Sequence, residues 1–205
     1  MTPKVQFLFD FGSPNAYLAG QAIPKIEQRT SISFEYVPVL LGGIFKLTNN
    51  ASPAQSFAGV KNKLQYMALE TERFIRKHKI AAFKWNPYFP VNTLLLMRGA
   101  VASEMEGALK PYYTAANHHM WEEPKKMDDP DVLRSAMDAS GLDGSWLLAR
   151  AKDADVKARL LEVTQSAVDR GVFGCPSFFV GSELFFGKDQ LREVEEEIEA
   201  QKTAG

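Results

Sequence analysis

One cysteine, Cys175, in 205 residues is the scarcest resource of this chain. It excludes an internal disulfide, so nothing in the fold asks for an oxidising compartment, and it removes cysteine-rich metal sites. Histidine numbers only three. His78 stands alone among lysines and arginines, while His118 and His119 are adjacent and would point to different helix faces, so no metal site is expected. Charge of one sign is also missing: 24 Lys plus Arg face 25 Asp plus Glu, which leaves no basic field to recruit nucleic acid. No apolar run approaches the roughly 18 residues of a membrane span. Met1-Thr2-Pro3-Lys4 enters a strand at once, without the layout of a signal peptide. A cytoplasmic protein that engages neither membrane nor nucleic acid is expected. Its length suffices for one substantial core or for a domain with an inserted lobe.

The most informative stretch is Phe9-Asp10-Phe11-Gly12-Ser13-Pro14-Asn15-Ala16-Tyr17. Val5 to Phe11 reads as a short buried strand, apolar and aromatic, ended by a glycine. Ser13 is a good helix N-cap, and Pro14 sits at the first helical position, where its missing N–H costs nothing. A strand that runs straight into a helix start aims unpaired N–H groups and a positive dipole end at whatever Ser13 faces. Such a place stabilises a developing anion, and Asp10 is expected to organise the turn beside it.

Further along, Ser33 to Val39 suggests a second strand ending at Pro38, followed by a polar loop with glycine and asparagine. Helical spacing covers Lys61 to His78 and Asn92 to Ala102, with Asn86-Pro87-Tyr88-Phe89-Pro90 between them. Asp128-Asp129-Pro130 and Asp143-Gly144-Ser145 each start a helix, and Asp153 to Arg170 forms another, stopped by Gly171. Gly174-Cys175-Pro176 opens an apolar strand, where a cis proline turn is expected. Phe185-Phe186 precedes Gly187-Lys188-Asp189, which begins a closing helix to about Gln201 with free N–H groups suited to a carboxylate. Trp85 and Trp121 read as core or interface, and Cys175 as a small apolar side chain that would form a mixed disulfide only if exposed.

This order, with a long helical stretch between the second and third strands, resembles a thioredoxin fold interrupted by an all-helical domain. The α/β chain resembles the kappa-class glutathione transferase and 2-hydroxychromene-2-carboxylate isomerase family, relatives of the bacterial DsbA oxidoreductases. The likeness runs from Val5 to about Glu199. It rests on Asp10-Phe11-Gly12-Ser13-Pro14-Asn15-Ala16-Tyr17, Leu40-Leu41-Gly42-Gly43-Ile44-Phe45-Lys46, Lys63-Leu64-Gln65-Tyr66-Met67, Phe89-Pro90-Val91-Asn92-Thr93 and Gly174-Cys175-Pro176-Ser177. The departures are Cys175, where valine is commoner, and Gln55-Ser56, where the naphthalene-pathway isomerases carry Asn-Arg. A thioredoxin-like domain over 1–40 and 161–205 and a helical insert over 41–160 are expected, as is a homodimer.

In disulfide oxidoreductases of this architecture a Cys-x-x-Cys pair opens the helix. Here those positions hold Ser13 and Ala16, so internal dithiol exchange is impossible. No histidine lies nearby in sequence to activate Ser13 as a nucleophile. The resemblance implies glutathione instead, its thiolate hydrogen-bonded by the catalytic Ser13 and paired along the backbone of Cys175 and Pro176. Phe186, Gly187, Lys188 and Asp189 would hold its γ-glutamyl end. Asn50 and Lys63 fall either to glutathione or to the acceptor. A small aromatic or α-keto acid substrate would meet Lys46, Gln55, Ser56 and Tyr88. An isomerase working by reversible thiolate addition is the first expectation. A kappa-like transferase or peroxidase, or a non-catalytic thiol-binding module, is the alternative.

Overall fold

A computed structural model describes residues 2–204 of the chain. Strand β1 (Val5–Phe9) leads through a turn into helix α1 (Pro14–Thr30), and β2 (Phe34–Pro38) follows. The first strand is two residues shorter than its apolar run suggests, because Asp10 turns the chain: Ser13 N–H donates to Asp10 O at 3.0 Å. The helices α2 (Leu41–Thr48), α3 (Pro53–Ser56), α4 (Lys63–His78), α5 (Leu94–Met105), α6 (Leu109–Trp121), α7 (Pro130–Ala139), α8 (Gly144–Arg150) and α9 (Ala154–Asp169) come next. Strands β3 (Ser177–Val180) and β4 (Glu183–Phe186), a short 3₁₀ turn (Lys188–Gln190) and α10 (Leu191–Ala204) complete the chain.

The sheet order is β2-β1-β3-β4, with β1 and β2 parallel and the other two pairings antiparallel. This mixed sheet, crossed by helices on both faces, is the thioredoxin fold. Alternation along the central strands splits the core. Phe7, Phe9, Phe178 and Val180 face one side, while Leu8 and Phe179 face the other with Val39, Ile44, Val172 and Cys175. Ser13 caps α1 as expected, its Oγ accepting from Ala16 N–H at 3.1 Å. Asp129 and Asp143 cap α7 and α8 likewise. Gly171, at φ +96°, follows α9 in the left-handed conformation that stops it.

Three expectations are corrected. The glycine-bearing segment after β2 is no loop: Leu41, Ile44 and Phe45 recur at helical spacing and form α2, with Ile44 fully buried. The closing segment starts as a 3₁₀ turn, and its α-helix begins only at Leu191. The boundary at 160/161 falls inside α9, whose Val156 and Leu160 share one core with the strands and with Leu96, Met97, Tyr112 and Trp121 of α5 and α6. The helices between β2 and β3 therefore have no core separate from the sheet's. Residues 50–69 stand apart: all are exposed except the half-buried Ser52, Phe57 and Met67.

Helix α5 is buried nearly all round, and Gly99 is what lets α6 reach it. A Cβ there would lie 2.8 Å from Cζ of Tyr112, a buried ring fixed by its hydroxyl bond to Leu96 O at 2.8 Å. Gly99→Ala is expected to lower unfolding stability by about 1–3 kcal/mol through overpacking. A urea midpoint that falls with an unchanged slope would confirm it.

Candidate functional site

The turn between β1 and α1 is held from three directions. Asp10 is fully buried. Its carboxylate accepts Gly12 N–H and Leu41 N–H, both at 2.7 Å, and a hydrogen bond from the Thr93 side chain. Burial pushes its pKa up, while the Leu41, Gly12 and Thr93 donors pull it down, and the net direction is upward. From α6, the Trp121 indole donates to Phe11 O at 2.9 Å. Tyr17, one turn after Ser13, donates its hydroxyl to Glu122 at 3.0 Å.

Ser13 is buried at the junction. Its hydroxyl donates to Cys175 O at 2.9 Å, directly before the cis Cys175–Pro176 bond that the sequence led us to expect. Among the described residues, neither the Asn15 N–H of the first helical turn nor the Cys175 N–H has a hydrogen-bond partner. The junction thus presents one hydroxyl, two free amides and a carbonyl, without a thiol at position 16. The contacts continue outward. Gly187 N–H donates to Pro176 O at 2.9 Å, and Phe186 crowds Gly174 and lies against Phe173, ring centroids 4.5 Å apart. Asn50 donates to Phe173 O at 2.9 Å.

A model of the DSBA-like thioredoxin domain matches residues 4–199. The chain belongs to the DSBA-like thioredoxin family. It is 29% identical to the 2-hydroxychromene-2-carboxylate isomerase of Sphingobium xenophagum, over 93% of this chain and 95% of that protein. It is 24% identical to glutathione S-transferase kappa 1 of Rattus norvegicus, over 92% of this chain and 88% of that protein. A solved 2-hydroxychromene-2-carboxylate isomerase superposes with a TM-score of 0.81 at 26% identity, covering 96% of this chain and 95% of that one.

Within this DSBA-like frame Ser13, Cys175, Pro176, Phe186, Gly187 and Asn50 form one connected region. Tyr88 is exposed on the loop closed by the cis Phe89–Pro90 bond, and Thr93 ties that loop's end to Asp10. The other expected residues have different neighbours. Lys46 lines a groove of about 410 Å³ between α2 and α9 with Leu161 and Glu162. Gln55, Ser56 and Lys63 sit on the exposed 50–69 segment, where Lys63 covers the Phe57 ring at 5.1 Å. Lys188 is buried and its ammonium is committed to its neighbour Asp189, at 2.6 and 2.8 Å, so its charge is not free for a γ-glutamyl carboxylate.

Two further readings change. Trp85 is exposed, whereas Trp121 is core. Ligand atoms of His118, His119 and Glu123 fall within 4.8 Å of one another, although the two histidines are adjacent, because Glu123 follows the end of α6 and folds back. His119 already meets Ser140 at 2.9 Å and the Lys125 ammonium at 3.0 Å, a poor setting for a cation. The Trp121 and Tyr17 anchors escaped sequence reading. The single available signal was the position of Tyr17 one turn after Ser13.

Asp10→Ala leaves two N–H groups without their acceptor and should lower stability by about 1–3 kcal/mol or more. Because burial raises the Asp10 pKa, the wild type should lose stability as pH climbs from the ordinary carboxylate value through the raised one. Asp10→Asn should lack that slope in urea melts between about pH 4 and pH 8. Burial likewise pushes the Cys175 thiol well up, with Asp10 adding to the effect. Cys175 is buried among apolar side chains, as its reading as a small apolar residue expects, so the exposure that a mixed disulfide would need is missing. Iodoacetamide should label Cys175 readily in urea and far more slowly in the folded protein.

Proposed function

We propose that this protein is a glutathione-dependent isomerase of an aromatic-degradation intermediate, resembling the 2-hydroxychromene-2-carboxylate isomerases to which it is similar. The observation that carries the reading is the Ser13 hydroxyl at the start of α1, 2.9 Å from the carbonyl before a cis proline. When bound, glutathione supplies a thiolate able to add to a conjugated substrate, leave a single bond free to rotate, and depart.

The residues present fit that thiol. Cys175 offers a free N–H and a carbonyl, the two groups that an extended peptide needs for backbone pairing. The carbonyl now accepts from Ser13. An incoming amide N–H can take it, which frees the Ser13 hydroxyl to turn toward sulfur. Ala16 N–H keeps Ser13 Oγ in place during this exchange. The free Asn15 N–H and the positive end of α1 add to the stabilisation of negative charge. Phe173 and Phe186 flank the approach, and Asn50 holds Phe173 by its carbonyl. Beyond the sulfur, the exposed Tyr88 can stack against an aromatic acceptor.

A kappa-like transferase or peroxidase is the second reading, and one observation favours it. The cations expected for an α-keto acid have other neighbours: Lys46 lines the α2–α9 groove, Lys63 lies over Phe57, and Gln55-Ser56 carries no charge.

The test compares wild type and Ser13→Ala on a chromene carboxylate, with and without glutathione, alongside the thiolate absorbance of bound glutathione against pH. We expect turnover only with glutathione and a bound thiol pKa below the free value. Losing a hydrogen bond to a charged atom should cut the kcat of Ser13→Ala by roughly tenfold to a hundredfold, while most of the binding survives. Turnover without glutathione, or full activity in Ser13→Ala, would overturn the mechanism. Thiol transfer without isomerisation would select the second reading, and affinity with no rate on either substrate class would leave a binding module.

A further inference from the structure

One groove of the molecule has no Ser13 in its lining. It holds about 480 Å³ along one face of α1, between Lys25 and Arg29 of that helix, α4, and the start of α10. That volume suits a small ligand. Six cationic side chains line it against three carboxylates, although the whole chain has a net charge of −1.

The pairing inside the groove is lopsided. Arg29 is bound twice by Glu195, and Lys188 by Asp189. Lys25 donates to His78 O at 3.3 Å, and Arg192 reaches Glu193 and Glu196. Glu70 accepts the Tyr66 hydroxyl. Arg73 and Lys77 are exposed on α4 and have no carboxylate within ion-pair distance among the described residues. The negative C-terminal end of α4 accounts for Lys77 and for the Lys25 bond, but not for Arg73 or for the cations that α1 and α10 supply.

Two groups sense the excess. Lys188 is only 4% exposed, its ammonium lies 5.1 Å over the Phe74 ring, and all its ion pairing comes from one largely exposed carboxylate. His78 stacks on the same Phe74, centroids 4.2 Å apart. Burial lowers its pKa first, and Lys77, Lys25, Arg29 and Lys188 lower it further.

We infer that this groove binds a small polyanion of the phosphate class, such as a pyrophosphate or a phosphate ester. Arg73 and Lys77 supply the open cations, and Lys25, bonded to the His78 carbonyl, stands beside them in the lining. Guanidinium and ammonium donors arriving from three helices suit the several oxygens of a phosphate group. The Phe74–His78 stack provides an apolar wall for an attached organic group. Ser13, Cys175 and Pro176 are absent from its lining, while Lys188 and Asp189, expected at the γ-glutamyl end of glutathione, border it.

The three histidines make the test direct. Inorganic pyrophosphate is titrated while the histidine ring protons are followed by NMR, with sodium chloride at matched ionic strength as the control and AMP as a second probe. Pyrophosphate should saturate, raise the His78 pKa and leave His118 and His119 unmoved. The double variant Arg73→Ala, Lys77→Ala should weaken it by roughly tenfold or more. Neither residue belongs to the proposed thiol site, so glutathione binding should be unchanged. Tighter binding of AMP than of phosphate would place an organic group on the stack, and equal binding would assign the site to the phosphate alone. A His78 shift matched by sodium chloride, or indifferent to the double variant, would overturn the inference.

Discussion

Asp10 is buried, no cation among the described residues pairs with it, and neutral donors hold it instead: the N–H groups of Gly12 and Leu41 and the side chain of Thr93. Those donors come from the active turn, the start of α2 and the threshold of α5. A single side chain therefore joins three segments that lie far apart in sequence. Trp121 reinforces the clamp through Phe11 O, and Tyr17 through Glu122. The start of α1 can stay preorganised only while this arrangement persists. Preorganised dipoles are what make a helix N-terminus useful to a developing anion.

Chemistry at that helix start depends on which side carries sulfur. A dithiol protein of this architecture places its thiols at the first turn of α1, where the dipole activates them. Here oxygen and a methyl group stand there, and the one thiol belongs to Cys175, packed with Leu8, Val39 and Phe179 on the far face of the sheet. The electrostatic apparatus is kept without a resident nucleophile. A site of that kind is compatible with the external thiol of the proposed function.

Much of this was legible in the chain. Ser13-Pro14, Pro38, Asp129-Pro130, Asp143 and Gly171 are local signals whose physics needs no distant partner, and each ends or begins an element as expected. The cis bond before Pro176 followed from a proline at the mouth of an apolar strand. What escaped depended on tertiary neighbours. Lys188 read as a charge for the γ-glutamyl end of glutathione, although Phe74 and Asp189 enclose it, and Lys46 lines a groove that no spacing rule could place. α2 was hidden by its two glycines, whose weak propensity is overridden once Ile44 is buried. Sequence reading gave Arg73 and Lys77 no role, because the α1 and α10 residues that share their groove are remote in sequence.

The core shared by the sheet and the helices between β2 and β3 limits how the molecule can move. A rigid-body hinge between those halves would have to separate Leu160 and Trp121 from Phe7 and Phe178, exposing apolar surface that now has no water around it. The junction at Ser13 is therefore held by elements of one shared core. On the proposed function, accommodation of acceptors of different size would fall to the 50–69 segment, whose sparse packing makes it the inexpensive place to bend. Selectivity in this protein would then drift by changes along that arm while the frame around Asp10 stays constant.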